Sequence, residues 1–504
     1  MTMTVNEIFS DVNIWCSHIP QRYVFALMCF LGLFNAYAMR SCLSIAITEM
    51  VSNANITVAH NDVCTYDNIA LPSNNSINGG NTNSMNTSKD TYNWDQYTQG
   101  LILSSFYWGY VLTHLPGGYI AENYGGKHTL GFGILITAIF TILTPAAVYA
   151  GNFTALIILR MLMGLGEGIT IPATNVLLAN WVPPNERSRT ASFVYGSLMI
   201  GTIFATTVSG WILQYSSIGW PLVFYVMGIP GIIWYIFWLF LCYNSPQVHP
   251  FVTEKEMKYL KESMNEHTRV NPPTLPWRQI IVSKPVWAVA IGTIGFGWLN
   301  LSMITYLPKY MSGILKFSVE NNGYYTSLVY LCMWIGASTT PWLADYLISK
   351  RNVSTTMVRK FFSFLALPVS AAFNIAASYA GCNRSLVVGM FVISMGLLGC
   401  AYPSIVSNPL DLSPNYAGTI MALSNGMGGL TGIVGFYVIG IITPNQTLSE
   451  WTLGFWIMFG VGTFSYLIFL VYGSGEVQYW NDPVFVQNEI DKRHRRRSNK
   501  SQNN

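Results

Sequence analysis

Arg40, Arg160 and Glu167 are ionisable side chains set inside long apolar stretches of the sequence. A charge at mid-bilayer costs about 2.5–3.5 kcal/mol on insertion scales, so such residues face a wet cavity, pair with one another or mark a functional site. Two guanidiniums at similar depth hold their charge at any relevant pH and can clamp a carboxylate or phosphate through paired hydrogen bonds. An anion is the natural third party. Glu167 follows Arg160 by seven residues, almost two turns, which puts it on nearly the same helix face about 10 Å further along. A carboxyl there is suited to load and release a proton during a cycle. The plainer alternatives are that Arg160 and Glu167 fasten their helix to its neighbours, and that Arg40 snorkels toward the headgroups.

Around these charges stand weaker candidates. Tyr107, in Ser104-Ser105-Phe106-Tyr107-Trp108-Gly109-Tyr110, lies near mid-depth and offers substrate a phenolic hydroxyl. His114 has an unperturbed pKa suited to proton coupling, although its place before Pro116-Gly117-Gly118 fits a structural role equally well. Asn300 and Asn425 offer neutral donors to a cavity, or glue between helices.

The elements that must position these residues are set by composition. Of 504 residues 51% are hydrophobic and 10% charged, with a mean hydropathy of +0.36, whereas a soluble domain carries about a quarter charged residues. Apolar runs and their polar breaks predict twelve membrane-crossing helices, near 22–50, 97–120, 128–150, 153–178, 190–214 and 219–242, then 284–308, 322–348, 359–380, 384–407, 416–442 and 451–474. The runs are continuous and far longer than ~10 residues, which excludes a β-barrel. With both termini cytoplasmic, 20 of the 26 Lys and Arg fall on the inner side, leaving Lys89, Lys309, Lys316 and Arg384 outside and Arg40 and Arg160 within spans.

The loop 51–96 is rich in Asn, Ser and Thr and carries glycosylation sequons at Asn55, Asn74 and Asn86, as expected of a flexible outer segment. Asn152, Asn383 and Asn445 open further sequons, in loops too short to stand clear of the bilayer. Of eight cysteines, Cys64 and Cys382 both fall outside and could pair in an oxidising compartment. The first apolar run is too long for a cleavable signal and reads as an anchor. The expected organisation is an inner tail over 1–21, a six-helix half over 22–242, an inner linker over 243–283, a second half over 284–474 and a basic inner tail over 475–504. Thr253 to Asn265 carries helix signals, with Thr253 as N-cap and Glu256 completing a capping box, but a solvated linker is the plainer expectation. The run Lys492-Arg493-His494-Arg495-Arg496-Arg497 is a topogenic and lipid-attracting cluster.

After the second helix comes Gly118-Tyr119-Ile120-Ala121-Glu122-Asn123-Tyr124-Gly125-Gly126-Lys127, echoed more weakly at Trp342 to Lys350. This stretch resembles the signature loop of the major facilitator superfamily, which implies an inner gate loop of Gly118, Glu122, Gly125 and Lys127, with Asn123 where a basic residue is usual. Arg160-Met161-Leu162-Met163-Gly164-Leu165-Gly166-Glu167-Gly168-Ile169-Thr170-Ile171-Pro172-Ala173 further resembles the helix-four signature of the solute carrier 17 family. Trp181-Val182-Pro183-Pro184-Asn185-Glu186-Arg187-Ser188, Asn408 to Gly418 and Gly475-Glu476-Val477-Gln478-Tyr479-Trp480 agree with it, so the likeness covers about 22–481. It implies transport of organic or inorganic anions, with Arg40 and Arg160 binding the anion and Glu167 coupling a cation. Leu103 stands where the family's vesicular glutamate transporters carry a histidine, and no arginine stands near Phe296, which argues against that branch. Asn175 replaces a histidine of sialin, and the nearest likeness is to sialin-like proteins and inorganic phosphate cotransporters.

The expected fold is therefore an all-α membrane protein of the major facilitator type, twelve helices in two six-helix halves. The expected function is cation-coupled symport of a small anion by alternating access. Arg40, Arg160, Tyr107 and Asn300 are the substrate-binding candidates, and Glu167 and His114 the coupling ones. A non-transporting anion sensor and a passive anion channel are the competing classes. No metal-ligand spacing, nucleophile elbow or phosphate-binding glycine loop points to an enzyme. The expected partners are a small anion, a co-transported proton or sodium ion and the lipid bilayer, with no other cofactor, no nucleic acid and no obligate protein. The expected location is the plasma membrane or an endolysosomal or vesicle membrane.

Overall fold

The computed structural model describes residues 20–51, 91–265, 276–351 and 353–482. Asn55, Asn74, Asn86, Cys64 and the basic run 492–497 lie outside these residues. The first half comprises α1 (Gln21–Met50), α2 (Gln96–Tyr124), α3 and α4, which are the two arms of Gly126–Gly168 on either side of Asn152, α5 (Pro184–Tyr215) and α6 (Trp220–Leu241). After a short break α4 runs on as Thr170–Trp181. The second half comprises α7 (Lys284–Gly313), α8 (Val319–Arg351), α9 (Thr355–Tyr379), α10 (Arg384–Leu412), α11 (Ala417–Ile442) and α12 (Leu448–Tyr472). Among the described residues nine helical stretches are long and apolar enough to cross a membrane, Gly126–Trp181 being one of them although it turns back on itself. The long helices α2 and α8 are not among these nine.

Local chemistry explains the breaks. Asn152 takes φ 53°, a conformation Asn tolerates, and its side-chain oxygen accepts from the Trp94 indole at 2.7 Å, which pins the turn. In α9 and α10 the regular ladder gives way to π-helical turns at Leu365–Val369 and Tyr402–Val406, each holding a proline, Pro368 and Pro403, that cannot donate.

The halves meet through the pairs α1 with α7, α2 with α11 and α5 with α8. An even number of crossings returns the chain to the side from which it starts, here called the terminal end. Away from that end the seam is tight. A Cβ on Gly100 would lie 3.0 Å from the Phe436 carbonyl, and one on Gly210 3.0 Å from Gly323. Ser327 of α8 bonds Thr206 at 2.8 Å and Thr207 at 2.6 Å on α5, and Tyr215 donates to Glu320 at 2.9 Å. Toward the terminal end the helices part. Gly418 shares a face of α11 with Gly429, which packs on Val111, yet a Cβ on Gly418 would meet nothing within 4 Å.

The linker departs from expectation. Glu254–Asn265 is a helix docked on the first half rather than a solvated connector. Thr253 accepts from the Glu256 amide at 3.3 Å, but the Glu256 carboxylate does not close a capping box; it accepts from the Gln21 and Arg22 amides at 2.9 and 3.1 Å. A carboxylate at the unsatisfied N-terminus of α1 is a favourable charge-dipole contact. Tyr259 donates to Glu186 at 3.1 Å, and Arg22 pairs with Glu186 at 3.4 Å, so the linker helix moves with α1 and α5.

Candidate functional site

Glycines build the site. Gly164 and Gly168 lie one turn apart on α4, where a Cβ on either would collide with the Phe106 or Tyr110 carbonyl of α2, and a Cβ on Gly109 would strike the Met161 carbonyl in return. Gly166 faces the other way, onto the Gly133 carbonyl of α3. This backbone-to-backbone approach, the close packing that small residues permit in membranes, sets Phe106, Tyr107 and Tyr110 against Arg160 and Glu167.

Arg40 of α1 completes the cluster. Its Nη1 lies 3.3 Å from Glu167 Oε1 and its Nη2 donates to the Tyr107 hydroxyl at 2.5 Å. The guanidinium carbon sits 4.7–5.4 Å from the ring centres of Tyr37, Phe106, Tyr107 and Tyr110, an aromatic cage in cation–π range. Arg160 approaches the same Phe106 ring, at 5.0 Å. All three charged residues are buried, with Glu167 fully so. Arg160 Nε and Glu167 Oε2 have no hydrogen-bond partner among the described residues. The cluster thus holds one internal ion pair, one surplus guanidinium and two unfilled hydrogen-bonding positions. An oxyanion can fill the donor side of such a site.

The structure brings Arg40, Arg160, Tyr107 and Glu167 together, but the pairing differs from the simplest helical reading. Glu167 bonds Arg40 on another helix rather than Arg160 on its own. His114 stacks 5.2 Å from Tyr110, with Nδ1 at 3.1 Å from the carbonyl of Gly168, the residue after Glu167, a tie between α2 and α4. Asn300 stands on α7, its buried Oδ1 unpartnered among the described residues. Asn175 accepts from Tyr195 at 2.5 Å, linking α4 to α5. At the loop after α2, Gly125 adopts φ 96° against the Asn244 side chain. Asn244 Oδ1 accepts from the Lys127 amide at 2.8 Å, and Lys127 Nζ donates to the Leu239 carbonyl at 2.8 Å. These ties hold the loop to α6 and to the start of the linker. Gly118 lies near Pro172, and the Glu122 side chain is outside the described set. Cys382 is disulfide-bonded, with its partner outside the described residues.

Sequence reasoning missed the cage residues Tyr37, Phe106 and Tyr110 and the capping role of Asn244. Tyr37 precedes Arg40 by three residues, and Phe106 and Tyr110 are four apart; both spacings share a helix face, so the signal was present.

This geometry can be set beside known proteins. The profile of the Major Facilitator Superfamily matches residues 29–436. Human (Homo sapiens) sialin is 38% identical over 462 residues, 91% of this chain and 90% of its own. The "Putative inorganic phosphate cotransporter" of Drosophila melanogaster is 36% identical, over 92% and 86% of the two chains. Vesicular glutamate transporter 1 of Xenopus tropicalis is 33% identical, over 95% and 79%. In fold, the chain resembles a bacterial homologue of the human lysosomal transporter Spinster in an inward-facing, occupied conformation, with a TM-score of 0.64 at 12% identity over 90% and 97% of the chains. It resembles the Escherichia coli xylose transporter XylE to the same degree, 0.64 at 13% identity over 90% and 99%. The chain is therefore a multi-pass membrane transporter, not an enzyme, and belongs to the major facilitator superfamily and, within it, to the solute carrier 17 family.

Proposed function

We propose that this protein carries a small organic or inorganic anion, a carboxylate or phosphate, together with a proton by alternating access. One observation carries the reading: Arg40 is already matched to Glu167 and Tyr107, while the equally buried Arg160 presents an Nε with no acceptor among the described residues. An anion drawn to Arg160 competes with Glu167 for Arg40. Displaced from its guanidinium in a dry site, Glu167 is stable only with a proton in place of the lost cation. Anion and proton then occupy the site together, and the halves rock about the α2–α11 and α5–α8 seams to release both. The distribution of Lys and Arg supports a cytoplasmic terminal end, which would make the tight part of the seam the outer one. Likeness to sialin and the vesicular glutamate transporters supports an endolysosomal or vesicle membrane, or the cell surface, as its location.

Reconstituted protein in vesicles tests this. Labelled phosphate, glutamate and sialic acid are offered under separately imposed proton and sodium gradients, with Arg160→Ala as control. Accumulation against the anion's own gradient, driven by protons and lost in the variant, is expected. Accumulation driven by sodium alone would replace the proton assignment, and uptake that only equilibrates would make the protein a channel.

A further inference from the structure

Lys309 lies on α7 four residues before its outer end at Gly313, is 3% exposed, and its Nζ has no hydrogen-bond acceptor among the described residues. The face of Tyr306 lies 5.4 Å from Nζ. Tyr306 belongs to an aromatic plug in the α2–α11 seam. Its hydroxyl donates to the Phe436 carbonyl at 2.7 Å, its ring lies 5.8 Å from Phe436, and Phe436 lies 5.2 Å from Tyr107, the hydroxyl that Arg40 holds. Two rings therefore separate Lys309 from the anion site, and Lys309 stands on their outer side. A buried amine without an acceptor disfavours the state that buries it. Outer opening would remove that penalty, since parting the seam exposes the amine to water, where lysine carries full charge and three donors.

We propose that Lys309 is the first contact for the anion on the outer side. When the α2–α11 seam parts, its ammonium lines the outer vestibule and holds a carboxylate or phosphate, which then passes the displaced Tyr306–Phe436 plug to reach Arg160 and Arg40. This rests on the transport reading above and adds a second, transient binding position to it.

The test uses oriented vesicles and two readouts. First, labelled sialic acid and, in parallel, labelled phosphate are supplied from the outer or the inner face. Lys309→Met is expected to raise the outer-face KM by about tenfold, the scale of a lost steering charge, with the inner-face KM unchanged and Lys309→Arg restoring the outer value. Second, Lys309→Cys is expected to react with an impermeant thiol reagent from the outer face, faster under conditions that favour outward opening, with no such reaction in the parent protein. An outer-face KM unchanged in Lys309→Met, a rise equal from both faces, or a Lys309→Cys protein unreactive from outside in every condition would overturn the assignment. The thiol readout needs no transport, so failure of the symport reading and failure of this one are separable.

Discussion

The two halves share an architecture and differ in what they hold at mid-depth. In the first half, Arg40, Arg160 and Glu167 meet within an aromatic cage, fixed by glycines that press α2 and α4 together. In the second, the described ionic pairing lies near the terminal end, where Arg359 binds Asp411 in a fork at 2.7 and 3.1 Å, and the mid-depth polar residues are neutral, such as Asn300. Its helices α9 and α10 instead carry π-turns at Pro368 and Pro403, irregularities that concentrate where helices bend or do work. The contrast puts the mid-depth charge cluster in the first half and the π-helical turns in the second.

Substitutions can break or sharpen that contrast. The largest effect is expected from Arg160→Ala, which should lower anion uptake by about 100-fold or more, as for loss of one partner in a desolvated charge contact, while the protein still folds because that guanidinium supports no described ion pair. Glu167→Gln should abolish accumulation driven by a proton gradient and leave anion exchange measurable, read by counterflow. Tyr107→Phe removes one hydrogen bond to a charged group, about 1.5–3 kcal/mol, and should weaken anion affinity by about ten- to a hundredfold, read as KM. Asn300→Ala should be smallest, a change of less than about threefold in KM. A loss in Asn300→Ala as large as in Arg160→Ala would end the division of labour between the halves.

Much of this was legible in the sequence because long apolar runs leave few alternatives in a bilayer. Arg40, Arg160 and Glu167 were conspicuous for the same reason. Their pairing was not legible, since the pitch of one helix places Glu167 on nearly the same face as Arg160 and says nothing of α1. What decides it is the approach of α2 and α4 at Gly109, Gly164 and Gly168, a relation between segments over 50 residues apart. The linker was misjudged on similar grounds. Glu256 has the spacing of a capping box within its own helix, but its carboxylate accepts from two amides at the start of α1 instead, a contact 235 residues distant in sequence.

The central claim is that an anion displaces Glu167 from Arg40 and a proton takes the vacated role. Proton uptake by the purified protein on addition of saturating anion, in weak buffer with a pH indicator, measures this directly. The account predicts uptake of about one proton per bound anion, absent in Glu167→Gln although that variant still binds. Wild-type protein that binds the anion with no proton taken up would contradict it.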